Sequence, residues 1–259
     1  MKQALEINPL IFYVVAGIGI FIGVHYLFRL RSLRTKIIFT YLMCTVSIVT
    51  FIINKAVHFF VYSRHFLNLL PLHLCYISVF LMPIALRFKR KAFYDFLFFI
   101  SSTGALFAIF FPYQPYVDGV FSAKTFTYFS YHFFVAVIPL WMFLWGMYSP
   151  KISFKNASRL LGILFLMGLL MHGFNILLIN NGIENANYFM TMVEKGGQNN
   201  ILLGLFAVLI PVDFFYLFFV FPILYVYIGI WNLSLNPQRF SASVCKNQTC
   251  SGARSRGST

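Results

Sequence analysis

The sequence predicts an all-α fold: an integral membrane bundle of seven transmembrane helices, with the N-terminus outside and the C-terminus cytoplasmic. Three observations predict it. Seven apolar runs, at approximately 8–28, 37–61, 68–87, 92–112, 126–147, 158–180 and 201–232, are each long enough to cross about 30 Å of hydrocarbon as a helix. The chain is 60% hydrophobic and only 10% charged, where soluble domains average about 25% charged. Its basic residues fall in clusters on alternate connections, as cytoplasmic loops require.

The first run, Leu10 to Phe28, is too long for a cleavable signal peptide and has no small-residue cleavage site after it. Arg29, Arg31, Arg34 and Lys36 follow it. The second run leads to the segment Leu70-Pro71-Leu72-His73-Leu74-Cys75, where Pro71 suits the first position of a helix that continues to Leu86. Arg87, Lys89, Arg90 and Lys91 close this third run. The fourth run ends in Pro112 to Lys124, whose prolines and glycine mark irregular backbone. The fifth is followed by Lys151, Lys155 and Arg159. After the sixth comes the loop Asn181 to Asn200, long enough to fold over the bundle mouth. Its apolar centre, Tyr188-Phe189-Met190, is expected to dip into the interface like a re-entrant lid. The seventh run is longer than a span needs, and Pro211 and Pro222 are expected to kink or tilt it. The sequence divides into one transmembrane domain, 1–233, and a Ser-, Arg- and Gly-rich tail, 234–259, expected to be disordered and cytoplasmic.

The net charge of +14, from 20 Lys+Arg against 6 Asp+Glu, does not indicate nucleic acid, because the cations sit in short clusters between spans. The expected partners are membrane lipids and a lipid or small-molecule substrate. The oligomeric state is not legible. Cys44, Cys75, Cys245 and Cys250 show no zinc or haem spacing, and no histidines pair at i, i+4 on one helix. No metal and no cofactor are expected. The sequons beginning at Asn156, Asn232 and Asn247 fall on or near the cytoplasmic side, so glycosylation is not implied.

Polar residues within the spans are costly and mark function by default. Asn54, Lys55 and His58 lie in the outer part of the second run, His73 and Cys75 at the start of the third, and His132 in the fifth. His172 and Asn175 lie in the sixth and Asp213 in the seventh. All fall within roughly 5–18 Å of the outer boundary at the helical rise. This layer, with Asn187, Tyr188 and Glu194 above it, reads as an outward-facing polar cavity under a lid. Each member also has a plainer reading. Asn54, His58 and Asn175 can be interhelical hydrogen-bonders, and Lys55 can snorkel. Asp213 calls for a partner such as Lys55 or a histidine.

In a regular helix His73 and Cys75 would stand about 200° apart. Cys75 then shares a face with Ser78, Val79 and Met82, and its activating base is His132 or His172 from another helix. An irregular turn after Pro71 would instead bring both residues inward. The helix N-terminus beside Cys75 favours a thiolate or an anionic headgroup, whereas a buried Cys alone reads as packing.

The blocks Leu70-Pro71-Leu72-His73-Leu74-Cys75, Gly104-Ala105-Leu106 with Pro112, His132 with Pro139-Leu140, and Asn187-Tyr188-Phe189-Met190 with Glu194-Lys195 are similar in order and spacing to the YwaF-like family of multi-pass membrane proteins. That family is related to a vertebrate membrane acyltransferase acting on ether phospholipids and, more distantly, to small membrane hydrolases of fatty-acid esters. The resemblance implies acyl transfer through Cys75, with His132 as base and His73 in support. Tyr76 and Gly196 depart from the pattern, which has a small polar residue and a Pro at those places.

Three functions follow. The first is a membrane lipid acyltransferase or hydrolase with a Cys/His site. The second is a transporter or permease component binding a small solute in the same cavity, although no inverted repeat is visible. The third is a non-catalytic membrane ligand-binding protein.

Overall fold

The computed structural model describes residues 8–61, 66–112, 119–183, 186–193 and 201–234. Among them all regular structure is helical. Six helices are long and apolar enough to cross a membrane: α1 (Pro9–Phe28), α2 (Leu33–Phe60), α4 (Lys91–Phe110), α5 (Ala123–Leu144), α6 (Phe154–Asn180) and a segment Phe215–Ser234. A shorter apolar helix, α3 (Leu74–Phe88), lies between α2 and α4. Asn8, Ser32, Ser122 and Ser153 cap the N-termini of α1, α2, α5 and α6 through their side-chain oxygens, satisfying amides that a helix start otherwise leaves unpaired.

The core sits around α5, whose buried stripe includes Phe129, His132, Val135, Ile138 and Trp141. On one side Tyr13 stacks on Phe129 and Phe21 on Trp141, so α1 lies along it. On the other side α4 packs against α5, and Ser102 Oγ donates to the Ala136 carbonyl at 2.6 Å. Within α4, residues Phe96–Ser101 form a π-helical stretch with all six side chains buried. Such a bulge shifts the register of a helix and is common at functional sites. Here it turns the adjacent Ser101 and Ser102 to different neighbours, Ser78 of α3 and Ala136 of α5.

The two ends of the bundle differ. One end carries the cation clusters and is tied by Lys91 and Tyr148, which both reach the buried Asp95 carboxylate at 2.5 Å. Burial, then the Asp95 contact, holds the Tyr148 phenol well above its ordinary value. The other end carries residues 66–73, the N-terminus of α3 and residues 186–193, here termed the lid end.

Three expectations change. Pro71 does not start a helix. His73 is the cap residue in extended conformation, and α3 begins at Leu74, so the 68–87 run is a short helix preceded by a 3-10 turn, Phe66–Leu69. The 201–232 run is not one kinked helix. It comprises α7 (Ile201–Leu209), a break, a 3-10 turn Phe215–Phe219, and α8 (Val220–Ser234). Pro211 lies in the break, where its missing N–H harms no helix, and Phe214 adopts φ 67° there. Pro222, by contrast, sits in the first turn of α8, where proline is tolerated. The tail from 235 onward, with Cys245 and Cys250, lies outside the described residues.

Candidate functional site

The unwound approach to α3 decides how its chemistry is displayed. Because His73 stands before the helix, the 200° separation from Cys75 does not apply. His73 caps without a side-chain hydrogen bond, and its carbonyl receives the Tyr76 and Ile77 amides at 3.0 Å. Among the described residues the amides of Leu74 and Cys75 meet no acceptor, which is the usual state of the first donors of a helix. Cys75 itself is buried, on one face with Ser78, Val79 and Met82.

Three elements converge there. From α2, the Lys55 ammonium lies over the Tyr76 ring at 3.8 Å and over Phe51 at 5.7 Å. From α5 come Tyr128, Tyr131 and His132. The Tyr131 ring centroid lies 5.6 Å from that of Tyr76, the neighbour of Cys75 in sequence, and 4.2 Å from that of His132. His132 Nδ1 is 2.8 Å from the Tyr128 carbonyl. A carbonyl can only accept, so Nδ1 carries the proton and Nε2 presents its lone pair. His73, Lys55 and His132 lie within electrostatic reach of one another.

The remaining predicted polar residues divide into two roles. Asn54 is buried and donates to Thr127 Oγ1 at 2.9 Å, tying α2 to α5. His58 is half-buried at the lid end of α2. The others hold the lid. Asn175 donates to the Tyr188 carbonyl and to Thr191 Oγ1, each at 2.9 Å, and accepts the Tyr188 amide at 2.8 Å. His172 Nδ1 lies 3.3 Å from Thr191 Oγ1. Asn187 exchanges two bonds with the Met192 backbone at 3.0 and 2.9 Å. Asp213 accepts the Val193 amide at 2.5 Å, and so pairs with the lid backbone rather than with Lys55 or a histidine. The Phe214 amide donates to the Thr191 carbonyl at 2.7 Å. Tyr216 donates its hydroxyl to the Met190 carbonyl, and Tyr188 donates its own to the Leu67 carbonyl. The expected polar layer is therefore two groups. One surrounds Cys75 and the other fastens the lid to the break between α7 and α8. Tyr188 joins them, its ring centroid 5.1 Å from that of His73. Burial, above all, raises the Tyr188 phenol to about 12. Glu194 lies outside the described residues.

With that geometry in hand, comparison with known proteins adds one finding. A family model, the TMEM164 family, matches residues 2–232. The chain belongs to the TMEM164 family. No curated protein and no solved structure matches it significantly. As a TMEM164-family chain with six long apolar helices it is a multi-pass membrane protein.

Of the aromatic residues beside Cys75 in this TMEM164-family chain, Tyr76 was marked in the sequence only as a departure from a pattern, and Tyr128 and Tyr131 went unmarked. Their signal was present: Tyr128, Tyr131 and His132 follow an i, i+3, i+4 spacing, one helix face. Thr191 and Tyr216, which grip the lid, had no such signal, because only the folded loop brings them near Asn175 and Met190. Among the described residues no group of His, Cys, Asp and Glu has the arrangement of a metal site.

Proposed function

We propose that this protein is a membrane lipid acyltransferase or hydrolase. Cys75 is its nucleophile, His132 its general base and His73 a supporting group, in a seven-span bundle whose lid end faces outward. The likeness to YwaF-like proteins and their acyltransferase relatives agrees with this reading. The observation that carries it is the state of His132. It is a buried imidazole whose Nδ1 proton is held by the Tyr128 carbonyl, leaving Nε2 as a base beside the aromatic wall that includes Tyr76, the neighbour of Cys75 in sequence. In this reading α3 supplies the seventh span, with the irregular 66–73 segment completing its length, and the cation clusters at the opposite end support a cytoplasmic placement of that end.

The chemistry balances with these groups alone. His132 Nε2 takes the Cys75 proton as sulfur attacks the ester carbonyl carbon of a lipid. The oxyanion that forms lies near the unpaired Leu74 and Cys75 amides. As the carbon–oxygen bond breaks, His132 returns the proton to the leaving alkoxide, and the acyl group remains on Cys75 as a thioester. An incoming hydroxyl, from a second lipid or from water, loses its proton to His132, attacks the thioester and regenerates the thiol. Lys55, His58, Asn54, His172, Asn175, Asn187, Tyr188, Glu194 and Asp213 bind substrate or shape and cover the site.

The test is selective labelling. Protein reconstituted in lipid is treated with a lipid-like electrophile, comparing wild type with Cys75→Ala, Cys44→Ala and His132→Ala. Labelling at Cys75 that weakens without His132 is expected. Equal labelling of Cys44 and Cys75 in folded protein would remove the nucleophile. A second reading, solute binding by a permease component, draws on the unwound backbone between α7 and α8 beside Asp213. It would then take precedence.

A further inference from the structure

The Leu74 carbonyl and the Cys75 amide are the two ends of one planar, conjugated peptide group. At its nitrogen end the amide meets no acceptor among the described residues and belongs to the same residue as the thiol. At its oxygen end the α-helical pattern supplies one donor, the Ser78 amide. The Ser78 hydroxyl supplies a second, donating to the Leu74 carbonyl at 2.6 Å. Ser78 is fully buried, and its Oγ lies 2.7 Å from Ser101 Oγ. Ser101 ends the π-helical stretch, and the residue after it, Ser102, turns to α5 instead. Through one side chain, α4 thus seats the first turn of α3.

Serine and threonine often bond the carbonyl four residues back, as Thr45 and Thr50 do within α2, so the bond alone carries no function. Ser78 differs in where its bond falls. Thr45 and Thr50 polarise peptides whose N–H groups are already paired inside a long helix. The peptide that Ser78 grips has its N–H at a helix start, where a developing negative charge is favoured. A hydrogen bond accepted at the carbonyl draws electron density from the nitrogen and strengthens the N–H as a donor.

We infer that Ser78 is a positioning residue of the acyl-transfer site: its hydroxyl fixes and polarises the Leu74–Cys75 peptide, so that the Cys75 amide holds the oxyanion formed when the Cys75 sulfur attacks a carbonyl carbon. This role rests on the acyl-transfer reading above. As the sulfur–carbon bond forms, the carbonyl electron pair moves to oxygen and the thiol proton passes to His132. When the oxyanion collapses, the leaving oxygen departs with that proton. Ser78 keeps its own proton throughout and acts only through the peptide.

The experiment compares two modification rates in full-length protein reconstituted in lipid, each read by intact mass. p-Nitrophenyl dodecanoate acylates the thiol: sulfur attacks the carbonyl carbon, an oxyanion forms and p-nitrophenolate leaves. N-dodecyl iodoacetamide alkylates it: sulfur displaces iodide from a saturated carbon, and no oxyanion forms. Wild type, Ser78→Ala, Ser102→Ala and Cys75→Ala are compared, and Cys75→Ala gives the background from the other cysteines. Ser102 is the control, a buried hydroxyl whose 2.6 Å bond goes to the Ala136 carbonyl, away from Cys75. Ser78→Ala should acylate about tenfold more slowly, a part of the roughly hundredfold or greater loss that follows removal of a whole oxyanion donor. It should alkylate at the wild-type rate, and Ser102→Ala should match wild type with both probes. If Ser78→Ala slows both reactions equally, or neither, the oxyanion role is refuted while acyl transfer through Cys75 stands. If Ser102→Ala slows acylation as selectively as Ser78→Ala, the assignment to the Leu74–Cys75 peptide falls. If wild-type Cys75 is alkylated but takes no acyl group from the ester, the acyl-transfer reading fails and the role of Ser78 with it.

Discussion

Asn54 and Asn175 are both buried amides, yet their neighbours make them unequal. Removing Asn54 leaves Thr127 satisfied, because its hydroxyl still donates to the Ala123 carbonyl at 2.6 Å. Asn54→Ala should therefore cost about 1 kcal/mol or less, in line with hydrogen bonds between membrane helices. Asn175 holds both the amide and the carbonyl of Tyr188, so Asn175→Ala strands two buried backbone groups and should cost about 2–3 kcal/mol. Thermal unfolding in detergent orders the two variants, and equal losses would contradict the clamp. Tyr188 adds a pH dependence. Its folded value, about 12, is raised above the ordinary 10.0 by burial, so its contribution is fully present below pH 10 and lost as pH rises toward 12. Proteolysis of the lid segment should accelerate over that window in wild type and less in Tyr188→Phe. At this scale the sequence was partly legible. His132 and Cys75 stood out because titratable groups are rare in apolar runs, but the partners of Asp213 were not, since a backbone amide from a distant loop leaves no mark in sequence.

At the scale of elements, the start of α3 governs the site. Gly104 of α4 faces Leu74, and a Cβ there would lie 3.1 Å from the Leu74 side chain. Gly104→Ala can be absorbed by a rotamer shift, whereas Gly104→Val should push Leu74 and the free amides of the α3 N-terminus out of place. Cys75 labelling should fall several-fold in Gly104→Val and stay near wild type in Gly104→Ala, with both proteins folded by size-exclusion profile. The lengths of α1, α2, α5 and α6 were readable from apolar runs bounded by caps and charges. The register of α4 was not, because the π-helical stretch Phe96–Ser101 is apolar throughout and hydropathy is blind to one extra residue per turn. The break between α7 and α8 was signalled by Pro211, but a proline marks a kink and a break alike. Thr191, Asp213 and Phe214 decide between them by bonding the lid to the unwound backbone.

For the whole molecule, the two ends are chemically opposite. Cation clusters and the Lys91–Asp95–Tyr148 tie occupy one end, and the lid, Lys55 and Cys75 the other. Such polarity predicts that a tag placed before Met1 is accessible from outside intact cells and one after Thr259 is not; protease protection reads this directly. The clustering of cations at one end was the most legible feature of the sequence, because Lys and Arg recur between alternate apolar runs.

The most direct measurement is the intact mass of the reconstituted protein after exposure to a phospholipid acyl donor. The account predicts an acyl adduct on Cys75, sensitive to hydroxylamine, absent in Cys75→Ala and reduced at least about a hundredfold in His132→Gln, as loss of a general base requires. An unmodified Cys75 in folded protein, or an adduct that forms equally without His132, would contradict it.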